Sequence, residues 1–211
     1  MFKLIQILEE KESPFNGRIK VIKTLEGLRI TVEEISQSGW LVEKVWNSAL
    51  KRVKKDRPEI KSVAILGLGG GSAAKLVNKY WPDARITGID IDPVMVELGK
   101  KYLGLSRMNS LKIAIEDAEE WIDKNRGKKS FDLVLIDVYK GARIPEKFTT
   151  PDFIKKVNNI LKRGGIAAFN HLYSAAEKED GDSLGTKLRE IFPALITVKP
   201  EANIIFIGYR E

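Results

Sequence analysis

The sequence predicts an α/β fold: a seven-stranded, mostly parallel sheet with helices on both faces and an antiparallel last strand, preceded by a small N-terminal β-hairpin and helix. Three observations predict it. From residue 62 onward, short apolar runs alternate with stretches of helical spacing, the pattern of strand–helix units. The runs are too brief for buried helices and are bounded by glycine or by aspartate, as buried parallel strands are. The last two runs, 195–198 and 204–209, flank a turn at Pro200 to Asn203 and pair best antiparallel.

The elements follow in order. The cluster Ser13, Pro14, Phe15, Asn16, Gly17 is a turn, and the β-branched runs 18–24 and 28–33 around Leu25-Glu26-Gly27 form a hairpin. Leu41, Val42, Val45, Trp46, Ala49, Leu50 and Val53 mark one face of an amphipathic helix, with Trp40 and Trp46 read as packing residues. Arg57-Pro58 ends this part, dividing the chain into an appendage at 1–58 and a main domain at 59–211.

The stretch 62–92 organises the rest. Val63 to Leu66 is a buried strand, and Gly67, Gly69, Gly70 and Gly71 make a tight turn where backbone can approach a ligand. Helical spacing resumes over 72–80, and a second strand, 85–89, ends in Asp90. Strand, glycine turn, helix, strand and acid form a Rossmann-like, nucleotide-type binding half, with the acid placed to meet a ribose hydroxyl pair. A dinucleotide fingerprint has glycine at the sixth position, where this chain has Ser72, so NAD ranks second as the ligand.

Asp92 caps the next helix, with Pro93 in its first turn and Gly104 as its stop. A third strand, 111–115, leads through Glu116-Asp117-Ala118 into a helix containing Trp121. The apolar strand 131–136 ends in Asp137, and a loop, 138–147, carries Tyr139, Gly141 and Pro145. The helix opened by Thr150-Pro151-Asp152 closes at Gly164-Gly165. A fifth strand, 166–169, ends with Asn170 and His171, and a polar loop, 174–182, precedes a helix over 184–192.

Composition narrows the function classes. The 211 residues suit one domain with a small addition, and 43% apolar content is ordinary for a globular chain. With no cysteine and one histidine, disulfides, thiolate metal sites, a thiol nucleophile and multi-histidine sites are excluded, and no metal is predicted. No apolar run has spanning length and the N-terminus lacks a signal peptide's apolar core, so the expectation is a cytoplasmic protein without a membrane partner. The net charge is +7, but the densest cluster, Lys51, Arg52, Lys54, Lys55 and Arg57, sits at a helix end, where cations favour the dipole. A nucleic-acid partner is therefore disfavoured, and the lysine–glutamate bias reads as heat adaptation.

Together these residues resemble the class I S-adenosylmethionine (AdoMet) transferases, and within them the spermidine synthase-like branch. The resemblance is carried by Ser13-Pro14-Phe15, GLGGG, GIDIDP, EDAEEW, LIDVYKG and FTTPDF. It implies AdoMet, or decarboxylated AdoMet, as cofactor. Gly67, Gly69, Gly70, Gly71 and Ser72 would pass against it, and Asp90 with Ile91 beside it would take the ribose. Asp117 with Ala118 would meet the adenine edge, the alternative for Asp117 being a helix cap. Asp137 would orient an attacking amine, Tyr139 would wall the acceptor pocket, and His171 is either a general base or a packed residue. A homodimer through the N-terminal hairpin and helix is implied by the same resemblance.

The departures bear on the reaction. Where spermidine synthases place an aspartate after the glycines, this chain has Ser72, which admits a cofactor carboxylate. The second acid of the substrate loop is replaced by Lys140, and the preceding helix carries Trp46, Asn47 and Ser48 in place of tyrosine–histidine–glutamate. The expectation is methyl transfer from intact AdoMet to a small-molecule acceptor. The alternatives are aminopropyl transfer from the decarboxylated cofactor and a non-catalytic nucleoside-binding protein.

Overall fold

A computed structural model describes residues 5–128 and 130–211. Four strands open the chain: β1 (Gln6–Ser13), β2 (Gly17–Thr24), β3 (Gly27–Val32) and β4 (Ile35–Gly39) form an antiparallel sheet in that order. The expected hairpin is its middle pair. The outer strands carry few apolar residues: QILEEKES is mostly exposed, and ISQSG has one β-branched position, so neither shows the alternation that marks a strand.

The long helix α1 (Trp40–Asp56) leads into the large sheet. Its strands are β5 (Ser62–Leu66), β6 (Arg85–Asp90), β7 (Leu111–Ile115), β8 (Phe131–Ile136), β9 (Leu161–Leu172), β10 (Ala194–Val198) and β11 (Asn203–Tyr209). Between them run α2 (Ser72–Tyr80), α3 (Pro93–Tyr102), α4 (Ala118–Lys124), α5 (Pro151–Ile160) and α6 (Lys178–Ile191). The spatial order is β10-β11-β9-β8-β5-β6-β7, and β11 alone runs against its neighbours. Two elements exceed their expected bounds. β9 runs on both sides of 166–169, because Gly164 and Gly165 lie inside it and Gly164 takes a positive φ. The start of α6 lies in the polar stretch 174–182, which has too few apolar residues to show helical spacing.

The period-2 alternation of buried strands divides the core in two. Val63, Ile65, Leu133 and Leu135 point to one face, packed by Trp46, Leu50 and Val53 of α1 and Ala73 and Val77 of α2. Ala64, Leu66, Val134 and Ile136 point to the other, against Phe153 and Val157 of α5 and Leu184 and Leu188 of α6. The N-terminal sheet lays Ile19, Val21, Ile30 and Val32 onto Met95, Leu98 and Leu103 around α3. The apolar face of α1 thus belongs to the core of the large sheet, on the N-terminal side of the sequence boundary at 58.

The chain climbs β5, β6, β7 in one direction and returns to β8 on the far side of β5. The order therefore reverses between β5 and β8, which opens a crevice at their carboxyl ends. Asp137 N–H donates to the Leu66 carbonyl at 2.8 Å there, and a Cβ on Gly67 (φ 84°) would collide with the Asp137 carbonyl oxygen. Only glycine combines that φ with that approach.

Asp92 fastens the N-terminal sheet to this end of the domain. It is fully buried, and Oδ1 caps α3 by accepting from Val94 and Met95 N–H. Oδ2 accepts from Ser13 Oγ at 2.6 Å and Asn16 Nδ2 at 2.7 Å, in the β1–β2 turn. Replacing Asp92 with Ala removes a cap and strands one buried and one half-buried donor, for a loss of about 3 kcal/mol. For a chain of this size that is a fall in Tm on the order of 10 °C, and a thermal unfolding curve that matches wild type would refute the assignment.

Candidate functional site

A cavity of about 480 Å³ lies over the crevice. Its floor is the turn after β5 and the strand ends of β6, β8 and β9. One side is closed by Gln37, Ser38 and the start of α1, and the β1–β2 turn, Pro14 to Asn16, reaches over the rim. Of the sequence-expected residues, Gly67, Gly69, Ser72, Asp90 and Ile91 lie on its wall, as do Asp117, Ala118, Asp137 and Tyr139. Gly70, Gly71 and His171 do not.

Gly70 and Gly71 face away from the cavity. Gly70 N–H donates to Ser38 Oγ at 2.6 Å, and the Gly70 backbone packs on α3, where a Cβ on Gly99 would sit 2.7 Å from its Cα. Gly71 abuts Leu105. Their glycines serve close packing of the turn against its own scaffold, and the backbone presented to a ligand is 67–69. His171 alternates away from Asn170 and Leu172, which do line the cavity. It is buried, with Nδ1 directed at the Leu172 carbonyl, and lies near Gly181 at the start of α6. This is the packed reading of that residue, and the general-base reading has no geometry behind it.

Asp90 is half-buried at the end of β6. Oδ2 accepts from Gly69 N–H at 2.6 Å and Oδ1 from Asp92 N–H at 2.9 Å, so one carboxylate clamps the glycine turn to the start of α3. Burial pushes its pKa up to about 6, against the pull of those two amides, and the neighbouring Asp92 and Asp137 charges add to the rise. Ser72 Oγ accepts from Gly39 N–H at 2.8 Å, so the hydroxyl that lines the cavity also pins the entry to α1.

Asp117 caps α4 through Oδ1, accepting from Glu119 and Glu120 N–H, as its cap reading expects. Oδ2 pairs with Lys147 Nζ at 2.7 Å across the 138–147 loop. Burial alone would raise its carboxyl, but the Lys147 ammonium and the two amides hold it below the usual range.

Asp137 stands opposite Asp90, after β8. Oδ2 accepts from the Trp46 indole N–H at 2.8 Å and Oδ1 from Asn170 Nδ2 at 2.8 Å. Asn203 Nδ2 donates to Asn170 Oδ1 at 3.0 Å, which orients the Asn170 amide. Burial raises the Asp137 carboxyl, opposed by those two donors. Tyr139 Oη accepts from Leu172 N–H at 2.9 Å and donates to the Asn170 carbonyl at 3.3 Å, and burial holds its phenol well above the ordinary value.

Trp46, Asn170, Asn203 and Gln37 are site residues that the pattern reading did not assign. Gln37 Nε2 donates to the Gly141 carbonyl at 3.0 Å and ties the 138–147 loop to β4. For Trp46 a signal existed: a buried indole needs an acceptor, and a helix preceding the first strand packs near strand ends.

Two members of the basic cluster are engaged locally. Arg52 pairs with Asp56 at 3.0 Å, and Lys54 donates to the Pro58 and Tyr80 carbonyls while lying over the Trp81 ring. Among the described residues no helix is long and apolar enough to cross a membrane, and no group of three or more His, Cys, Asp or Glu is placed to hold a metal ion.

The chain belongs to the spermine/spermidine synthase domain family, which matches residues 43–208. An eEF1A lysine and N-terminal methyltransferase homolog of Drosophila melanogaster is 30% identical over 156 residues, covering 71% of this chain and 23% of that protein. A polyamine aminopropyltransferase of Vibrio vulnificus is 27% identical over 128 residues, 60% of this chain and 42% of that one. The chain therefore spans about a quarter of the methyltransferase's length and under half of the aminopropyltransferase's. Among solved structures, a probable spermidine synthase from Corynebacterium glutamicum superposes with a TM-score of 0.79 at 19% identity, over 99% of this chain and 81% of that one. Human methyltransferase-like protein 13 in complex with SAH gives 0.69 at 23% identity, over 82% of this chain and 83% of that one. The fold is thus that of the spermidine synthase-like AdoMet transferases, a Rossmann-like sheet with a small antiparallel N-terminal sheet.

The raised Asp90 pKa sets a pH signature for the ligand-free protein. A carboxyl whose folded pKa exceeds its unfolded value opposes folding once ionised. The penalty is absent below the ordinary aspartate value of 3.8, builds through the window up to about 6, and is complete above it. Urea unfolding at pH 4 and pH 7 should show Asp90→Asn gaining stability relative to wild type at the higher pH. A difference between the two proteins that does not change with pH would contradict the assignment.

Proposed function

We propose that the chain is an AdoMet-dependent transferase, moving a methyl group from intact AdoMet to an amine acceptor held at Asp137. One observation carries this reading. Two half-buried carboxylates, Asp90 and Asp137, face a single cavity, and among the described residues neither makes an ion pair. A site of that kind is complemented by a group whose positive charge cannot be lost by deprotonation, which a sulfonium provides.

The residues present fit such a cofactor. Asp90 keeps acceptor capacity beyond its two backbone bonds and lies where a ribose diol meets an acid after the second strand of the half. Ile91 and Ala118 offer apolar surface to a base, and Asp117, shared between its cap and Lys147, would meet the base's amino edge. AdoMet, when bound, supplies an electrophilic methyl group on sulfur. Asp137 does the chain's part at the acceptor end: its carboxylate orients a nucleophile and stabilises the charge that an amine develops on attack. Tyr139 and Asn170 fix the wall beside it, and the 138–147 loop, held by Gln37 and Lys147, keeps the nucleophile in line.

An amine acceptor is the chemistry shared by the two kinds of relative, one named for lysine and N-terminal methylation and one for polyamine aminopropyl transfer. The acceptor is then either a small amine or an amine of a protein, on a lysine side chain or at an N-terminus. Aminopropyl transfer remains the second reading, favoured by Asp137 and the family match. Two features count against it: Ser72 where an acid would repel the cofactor carboxylate, and Lys140 on the cavity wall, which disfavours a polycationic acceptor.

Calorimetric titration with AdoMet, decarboxylated AdoMet and NAD tests the reading. Intact AdoMet should bind most tightly and NAD least. Asp90→Ala should weaken AdoMet at least tenfold, whereas Asp137→Ala should leave its Kd within about threefold. Tight binding of AdoMet by the Asp90 variant would sink the ribose assignment, and preference for the decarboxylated cofactor would restore the aminopropyl reading.

A further inference from the structure

Trp46 is completely buried in the face of the large sheet covered by α1 and α2, yet its one polar atom reaches the cavity's carboxylate. The partner is informative. Trp81, the other buried indole of this core, donates to a backbone carbonyl, that of Arg57, at 3.3 Å. Trp46 instead makes a shorter, charge-assisted bond of 2.8 Å to Asp137 Oδ2.

We infer that Trp46 is a positioning residue of the acceptor site, holding the Asp137 carboxylate in one orientation and favouring its charged form. The inference rests on the transferase reading for its functional meaning. The geometry is a two-point clamp with one supporting residue behind it. Trp46 holds one oxygen, Asn170 the other, and Asn203 sets which end of the Asn170 amide faces Asp137. The indole has no acceptor atom, and an amide nitrogen is a donor only. Both partners therefore favour the ionised carboxylate and neither can take its proton. Asp137 also lines the cavity, where a ligand can meet it.

The groups packed around Asp137 support this. α1 contributes Trp46, β9 contributes Asn170, β11 contributes Asn203 at one remove, and the β5–α2 turn contributes the Gly67 backbone. Tyr139 on its own loop is bonded to the Asn170 carbonyl and Leu172 N–H, and Asp90 faces it across the cavity. Among the described residues no cation makes an ion pair with Asp137, and Trp46 is one of the two neutral donors that oppose the rise burial causes.

Carbon-13 NMR of the Asp137 carboxyl, assigned with Asp137→Asn, tests the inference directly. Trp46→Phe keeps the ring's bulk and removes the N–H. It should raise the Asp137 titration midpoint by about one unit or more; an unchanged midpoint overturns the inference. Should Trp46→Phe fail to fold, the wild-type protein still decides. The Trp46 Nε1–H proton resonance should move with the Asp137 titration and shift in Asp137→Asn, and a resonance indifferent to both overturns it. AdoMet calorimetry on the wild type separates the two proposals, because absence of binding refutes the transferase reading while the titration alone decides the Trp46–Asp137 bond.

Discussion

The site depends on the close approach of two chain segments where the large sheet reverses its order. The end of β5 and the end of β8 come together so tightly that Gly67 has no room for a side chain beside the Asp137 carbonyl. That contact places the turn and the acid on one crevice, and the other parts are arranged around it. β6 brings Asp90 from one side, β9 brings Asn170 from the other, and α1 lowers Trp46 onto Asp137 from above. An open α/β sheet puts ligands at this position for topological reasons. What is particular here is that both acids are satisfied by neutral donors.

A second network holds the roof to the floor. Asp92 takes four hydrogen bonds, two from the start of α3 and two from the β1–β2 turn, and passes one of its own to Asp90. The N-terminal sheet is thereby linked through one buried carboxylate to the acid that would meet the cofactor. Ser38 and Ser72 make the matching links on the glycine-turn side, through Gly70 N–H and Gly39 N–H. The small sheet is thus a wall of the site as well as a packing partner of α3.

Much of this was legible in the chain. Alternating apolar runs located all seven large strands, because buried strands and amphipathic helices have different periods. Asp90, Asp117 and Asp137 were legible because an acid at a strand end or helix start is an unusual residue in a recognisable place. β1 and β4 were not, since they lie on an exposed sheet and bring little apolar signal. Gly70 and Gly71 were grouped with the cavity because sequence shows that a turn needs glycine without showing which side is crowded; the crowding comes from Leu103, Leu105 and Gly99. His171 and Asn170 are adjacent, and strand alternation alone separates the packed residue from the cavity residue. Trp46 meets Asp137, and Asn203 meets Asn170, only after long-range packing, and no local pattern encodes a contact such as that of Trp46, 91 residues away.

That long-range assembly has a kinetic side. The groups that touch or orient Asp137 come from α1, β8, β9 and the start of β11, and Asp92 adds the turn at residues 13–16. Contacts between segments so distant in the chain carry a large loop-closure cost, which disfavours their early formation. Interactions made late are absent from the folding transition state, so they act mainly on the rate of unfolding. The Asp137 clamp, built from segments so far apart in the chain, is therefore expected to slow the loss of the folded site more than it speeds its formation.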